Sequence, residues 1–188
     1  MKCFVKIKFF KLFLSSIFMI FSINISIAGG LPDDMEESSK LINEYFPNYD
    51  LLEYQDLDFF GKDCFEEYRS KYNPGIVNRD FNGDSLNDFA FLLKDVKSNS
   101  DDVIFAIFLK QSKDNYKLTI NHDLKGYKGI VFILPVEPGK VLKETEAVDT
   151  RKPRRKIKLK NAAIELWYCG KTTVVFYWNL ELNRFDSI

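Results

Sequence analysis

The sequence predicts an α+β fold that is mostly β, with an N-terminal helix or helices packed on an antiparallel sheet of about six to eight strands. Three observations predict it. Apolar residues recur at helical spacing only near the start of the chain. From Ile76 onward, short apolar or alternating runs are separated by Asn, Asp, Ser, Gly and Pro, which is how strands and turns read. The 188 residues include 18 Phe and nine Tyr, enough large apolar side chains to fill one core.

Residues 1–28 read as a secretory signal peptide and stand outside the fold. Lys2, Lys6, Lys8 and Lys11 make a basic start, an apolar run from Leu12 to Ile27 follows, and Ser26 and Ala28 are the small residues of a cleavage site. The rival reading is an uncleaved anchor, but serines and an asparagine interrupt the run, which is short for the ~20 residues of a membrane span. Cleavage after Ala28 leaves 29–188, a single globular domain that is periplasmic or secreted and has no stable membrane span.

The mature elements follow in order. Pro32, Asp33 and Asp34 suit the first turn of a helix over Leu31 to Phe46, with Met35, Ile42, Tyr45 and Phe46 at near-helical spacing and Pro47 as its stop. A second helix over Lys62 to Ser70 would put Cys64, Phe65 and Tyr68 on one side. Phe89 to Leu93 and Val103 to Leu109 read as strands joined by a turn across Asp95 to Asp102. The second of them is apolar at every position, so both of its faces should be covered. Tyr116, Leu118 and Ile120 alternate with polar residues as a half-buried strand does. Ile130 to Leu134 is another buried run, which Pro135 should end. Ile157 and Leu159 point opposite to Lys156, Lys158 and Lys160. Ile164 to Cys169 and Thr172 to Trp178 flank Gly170-Lys171, read as a two-residue turn, and Leu182 to Ile188 returns as an edge strand. No repeat or Ser/Gly-rich linker divides the chain.

Losing the signal removes four lysines and no acids, leaving 23 basic and 27 acidic side chains. A mildly acidic protein is not a general nucleic-acid binder. Two mature cysteines remain, Cys64 and Cys169, and in an oxidising compartment they are expected to form a disulfide; two separate buried thiols are the alternative.

Asp80 to Asp88 (DFNGDSLND) places Asp80, Asn82, Asp84 and Asp88 at the first, third, fifth and ninth positions, a spacing with which a tight loop surrounds a hard cation with oxygen. The bland alternative is a hairpin loop whose Asp and Asn side chains bond their own backbone. These residues, running into FAFLL, resemble the calcium loops of FG-GAP and VCBS-type repeats. The resemblance covers about 15 residues and occurs once, so it implies a loop and not a propeller. A single such loop ahead of an antiparallel sheet also resembles a group of small exported bacterial proteins without assigned chemistry. The resemblance to the FG-GAP and VCBS-type loops implies a structural Ca2+ held by the side chains of Asp80, Asn82, Asp84 and Asp88 and the carbonyl of Leu86. Ser85 departs from the pattern, standing where the repeats carry glycine, a position that often needs a positive φ.

Other features point less far. His122, the lone histidine, lies beside Asp123 without an elbow or zinc motif and is expected to be a solvated turn residue. No catalytic residue is assigned. Arg151, Lys152, Arg154, Arg155, Lys156, Lys158 and Lys160 are either a patch for an anionic partner or a solvated edge that discourages aggregation. Trp167, Tyr168, Tyr177 and Trp178 are either interface anchors or core. The function expected is that of an exported, non-enzymatic binding protein, an inhibitor or immunity protein neutralising a toxin or envelope hydrolase in the periplasm. The alternatives are an enzyme acting on cell-wall or polysaccharide material and a calcium-dependent adhesion module.

Overall fold

The computed structural model describes residues 32–98, 100–143 and 156–188. The proposed signal segment therefore lies outside the described residues, as do Arg151, Lys152, Arg154 and Arg155. Among the described residues no helix is long and apolar enough to cross a membrane.

Among the described residues two α-helices, α1 (Pro32–Tyr45) and α2 (Phe59–Phe65), accompany eleven strands. The strands make three antiparallel sheets, not the single sheet expected. In sheet one, β1 (Tyr49–Leu51) and β2 (Ile76–Arg79) lie end to end along β3 (Asp88–Asp95), followed by β4 (Val103–Ser112) and β5 (Asn115–Leu124). Sheet two has the order β11 (Arg184–Ser187), β10 (Thr172–Asn179), β9 (Ala163–Tyr168), β6 (Val131–Val136). A two-stranded ribbon, β7 (Val141–Lys143) with β8 (Lys156–Lys158), is the third.

The layering follows from side-chain alternation. On one face of sheet one, Phe89, Phe91, Leu93, Ala106 and Phe108 meet Leu41 and Ile42 of α1 and Phe46 just past its end. The opposite face, through Ala90, Leu92, Phe105 and Ile107, packs on Ile133, Ile164 and Leu166 of sheet two. Val103 to Leu109 is thus covered on both sides, as its composition predicts. The far face of sheet two is closed at one end by α2, where Phe65 lies 5.1 Å from Phe132, and at the other by Leu142, Ile157 and Leu159 of the ribbon and its flank.

Local details differ from the sequence reading for identifiable reasons. α1 buries Leu41 and Ile42, with Phe46 buried just past its end; Met35 is exposed, and Tyr45 lies at the edge with its ring 5.0 Å from that of Phe108. Of the helix expected over Lys62 to Ser70, only Lys62 to Phe65 is helical: α2 begins earlier because Asp58 caps it, accepting from the Gly61 N–H at 2.7 Å, and it gives way after Phe65 to turns that carry Tyr68. β5 breaks its alternation at Thr119, where the pairing to Ile107 and Phe108 shifts by one residue. This bulge keeps Tyr116 and Leu118 on the α1 side and turns Ile120 toward sheet two. The Thr119 hydroxyl donates to the Ile107 carbonyl at 2.9 Å.

Pro135 does not end β6, which continues to Val136. The Ile133 N–H donates away from β9, to the Pro74 carbonyl at 2.9 Å. Residue 135 shares that orientation, so proline removes no ladder donor there. The β9–β10 connection has three residues, since Tyr168 pairs with Thr172. Gly170 takes φ 69° there, while the Cys169 N–H is drawn to the Ile130 carbonyl at 2.9 Å.

Candidate functional site

The loop between β2 and β3 is organised by its own acidic side chains. Asp80 accepts from the N–H groups of Gly83 (2.6 Å) and Ser85 (2.8 Å). Asn82 accepts from Asp84 N–H at 3.0 Å and donates to the Asp84 carboxylate at 2.9 Å, which also accepts from Leu86 N–H at 2.9 Å. Gly83 and Ser85 take φ values of 83° and 69°. Ser85 thus adopts the left-handed conformation that glycine takes without strain, at a cost of about 1 kcal/mol or more.

Asp88 closes the loop differently. Its side chain is fully buried, and its two oxygens accept from the N–H groups of Phe81 and Lys110, each at 2.9 Å. Burial pushes its carboxyl up to about 6; the two N–H bonds oppose that shift, and the negative charges of Asp84 and Asp80 add to it. Phe81, also fully buried, anchors the loop against Phe185 of β11 at 6.2 Å. Asn161, from the β8–β9 connection, clamps the loop from sheet two by donating to the Phe81 carbonyl at 3.2 Å. A Cβ on Gly83 would fall 2.8 Å from the Asn161 amide oxygen, so a side chain there would displace the clamp. No local pattern marks Asn161, because the contact spans 80 residues of sequence.

Three carboxylates, an amide and a main-chain carbonyl are hard oxygen donors, so the chemistry of the donor set suits calcium. Their placement does not gather them: among the described residues, no three His, Cys, Asp or Glu side chains are grouped to hold a metal ion. Asp80, Asn82 and Asp84 are engaged in turn hydrogen bonds, while Asp88 is engaged with the strands.

Near α2, Cys64 and Cys169 are joined by a disulfide across 105 residues, with Cα atoms 6.2 Å apart. Asp58 N–H donates to the Gly129 carbonyl at 2.9 Å, and a Cβ on Gly61 would lie 2.1 Å from that same oxygen. Only glycine permits this approach. On this fixed platform Phe59 is 89% and Phe60 49% exposed. Tyr127 of the β5–β6 connection and Lys171 of the β9–β10 connection meet, with the ammonium 4.7 Å from the ring centre.

A groove of about 260 Å3 opens beside Asn161, where Lys158, Lys160, Trp178, Asn179 and Glu181 also line its walls. Lys156, Lys158 and Lys160 of the basic run are exposed. Of the aromatics, Trp167 stacks on Phe132 at 5.6 Å and Tyr177 is buried, so both belong to the core. Tyr168 packs edge-on to Tyr127 at 4.9 Å. His122 is exposed, on β5 and not in a turn. The chain matches no family model, no curated protein and no solved structure.

Proposed function

We propose that the chain is an exported, non-enzymatic binding protein that acts as an inhibitor or immunity protein, masking a toxin or an envelope hydrolase in the periplasm. The observation that carries this reading is the exposed pair Phe59 and Phe60. A helix cap, a disulfide and a close glycine contact hold the backbone beneath these rings. Apolar anchors on a backbone already ordered lose little freedom when a partner covers them, which is the property of interface hot spots. The Cys64–Cys169 bond supports export, since such bonds persist in oxidising compartments. In the same reading the 80–88 loop takes a calcium ion as a structural clip once Asp80, Asn82 and Asp84 exchange their turn hydrogen bonds for the ion, a reading supported by the donor chemistry and by the negative charges of Asp84 and Asp80 near Asp88 that a cation would offset.

The test adds purified 29–188 protein to periplasmic extract and follows wall hydrolysis by turbidity. Wild-type protein should slow hydrolysis, and a Phe59→Asp, Phe60→Asp protein should not. Hydrolysis unaffected by the wild type, or slowed equally by both proteins, defeats the proposal. Calorimetric titration with CaCl2 tests the clip separately. Heat is expected from the wild type and none from Asp80→Ala, Asp84→Ala; a silent wild-type titration removes the ion and leaves the partner reading standing.

A further inference from the structure

Across the β7–β8 ribbon Lys143 stands directly opposite Lys156, and Val141 opposite Lys158. Their side chains share the outer face, since Leu142 and Ile157 between them point into the core. Like charges facing each other across two strands are destabilising. No carboxylate lies within ion-pair distance of Lys143, Lys156, Lys158 or Lys160 among the described residues. The basic ribbon continues through Lys158 and Lys160 into the groove, so its charge leads from an open face into a concave site.

The groove is more than a charged surface. Trp178 and the amides of Asn161 and Asn179 line it. Trp178 is braced edge-on by Phe185 at 5.2 Å, and Asn161 is fixed by its bond to the Phe81 carbonyl. Its volume, about 260 Å3, lies just under the ~300 Å3 at which pockets for drug-sized ligands begin, which leaves room for one ring and its substituent. An indole offers a face to a ring, amides bond hydroxyls and lysines neutralise an acid. Glu181, on the wall, can accept from a hydroxyl but repels an anion, so the charged substituent belongs at the lysine end.

We propose that the groove between the β8–β9 connection and the β10–β11 turn binds an anionic saccharide, a sugar ring carrying a carboxylate or a phosphate group. Lys158 and Lys160 hold the acid, Lys143 and Lys156 extend the site along a polymer, and Trp178 and Asn161 receive the ring. The site shares no residue with the Phe59–Phe60 surface and stands or falls independently of it. A membrane is the less suitable source of the anion, because a flat array of headgroups meets the ribbon but does not enter a concave site.

The experiment uses the 29–188 protein with polygalacturonate and a phosphate-bearing teichoic acid as anionic arms, neutral dextran as control, and phosphatidylglycerol vesicles as the lipid arm. Binding is followed by affinity electrophoresis and indole fluorescence. At least one anionic glycan should bind, with dextran and vesicles far weaker. Lys158→Gln, Lys160→Gln should lower affinity about tenfold or more, as loss of a charge-assisted contact does. Lys143→Gln, Lys156→Gln should weaken binding several-fold yet melt no lower than wild type, because it removes a facing like-charge pair. Trp178→Phe keeps a ring against Phe185 and should abolish the fluorescence change. Equal binding of dextran or vesicles, binding of neither anionic glycan, or unchanged affinity in the lysine variants overturns the proposal.

Discussion

Replacing Asp88 with Asn separates two opposing effects of burying one carboxylate. The folded-state pKa is raised from 3.8 to about 6, chiefly by burial. The native state therefore holds a proton that the unfolded chain has already released between those values. Raising the pH through this window costs native stability: the penalty is absent below about 3.8, grows from there and is complete above about 6. At 1.36 kcal/mol per pH unit it reaches about 3 kcal/mol. The amide of the Asp88→Asn protein carries no charge and escapes the penalty. It also turns its N–H2 toward one of the two donors, Phe81 N–H or Lys110 N–H, leaving that group without an acceptor at a cost of about 1–3 kcal/mol. The wild type should thus be the more stable protein near about pH 4, and its advantage should shrink by about 3 kcal/mol, vanishing or reversing, by about pH 7. Urea unfolding of both proteins across this range, in EDTA to exclude cations, measures the difference, and carboxyl 13C titration reads Asp88 directly. Parallel stability curves, or an Asp88 carbon that titrates near 3.8, would refute the reasoning.

Two further perturbations test the frame. Converting both Cys64 and Cys169 to Ser opens a loop of 105 residues, for which the chain-entropy model gives a loss of about 4–5 kcal/mol, read as a lower urea midpoint and a melting temperature lower by about 10 °C or more. A drop under about 1 kcal/mol would mean that the unfolded chain gains little freedom from reduction. Gly61→Ala drives a methyl to 2.1 Å from the Gly129 carbonyl oxygen, so α2 must move away, and thermal unfolding should show a loss of about 2 kcal/mol or more. An unchanged melting temperature would show that the Gly129 carbonyl does not hold α2 through Gly61.

What could be foreseen depended on whether the cause was local. Val103 to Leu109 declares its own environment, because a strand apolar on both faces must be covered on both. The kink at Thr119 does not: Tyr116, Leu118 and Ile120 fit strict alternation, and only the register against β4 turns Ile120 the other way. Pro135 misled because proline is excluded from a ladder only where its nitrogen faces a neighbour, and that orientation is set by Ile133 and Pro74, not by the run itself. At the loop, Asp80 to Asp88 announced its acidic spacing, yet nothing in those nine residues shows that Asp88 is spoken for by Lys110 or that Asn161 reaches over from sheet two. The basic run was visible as charge, but its opposing Lys143 lies on the other strand of the ribbon and emerges only from pairing.

The position of β6 has a consequence for how the polypeptide assembles as it emerges. Strands β2 to β5 meet neighbours close in sequence and can zip up by successive hairpins. β6 finds its ladder partner only when β9 arrives, and Cys64 must wait still longer for Cys169. A growing chain would therefore carry a half-built sandwich with a sticky, aromatic underside until β9 and Cys169 have been added. That interval, not the finished molecule, is when it most needs a chaperone.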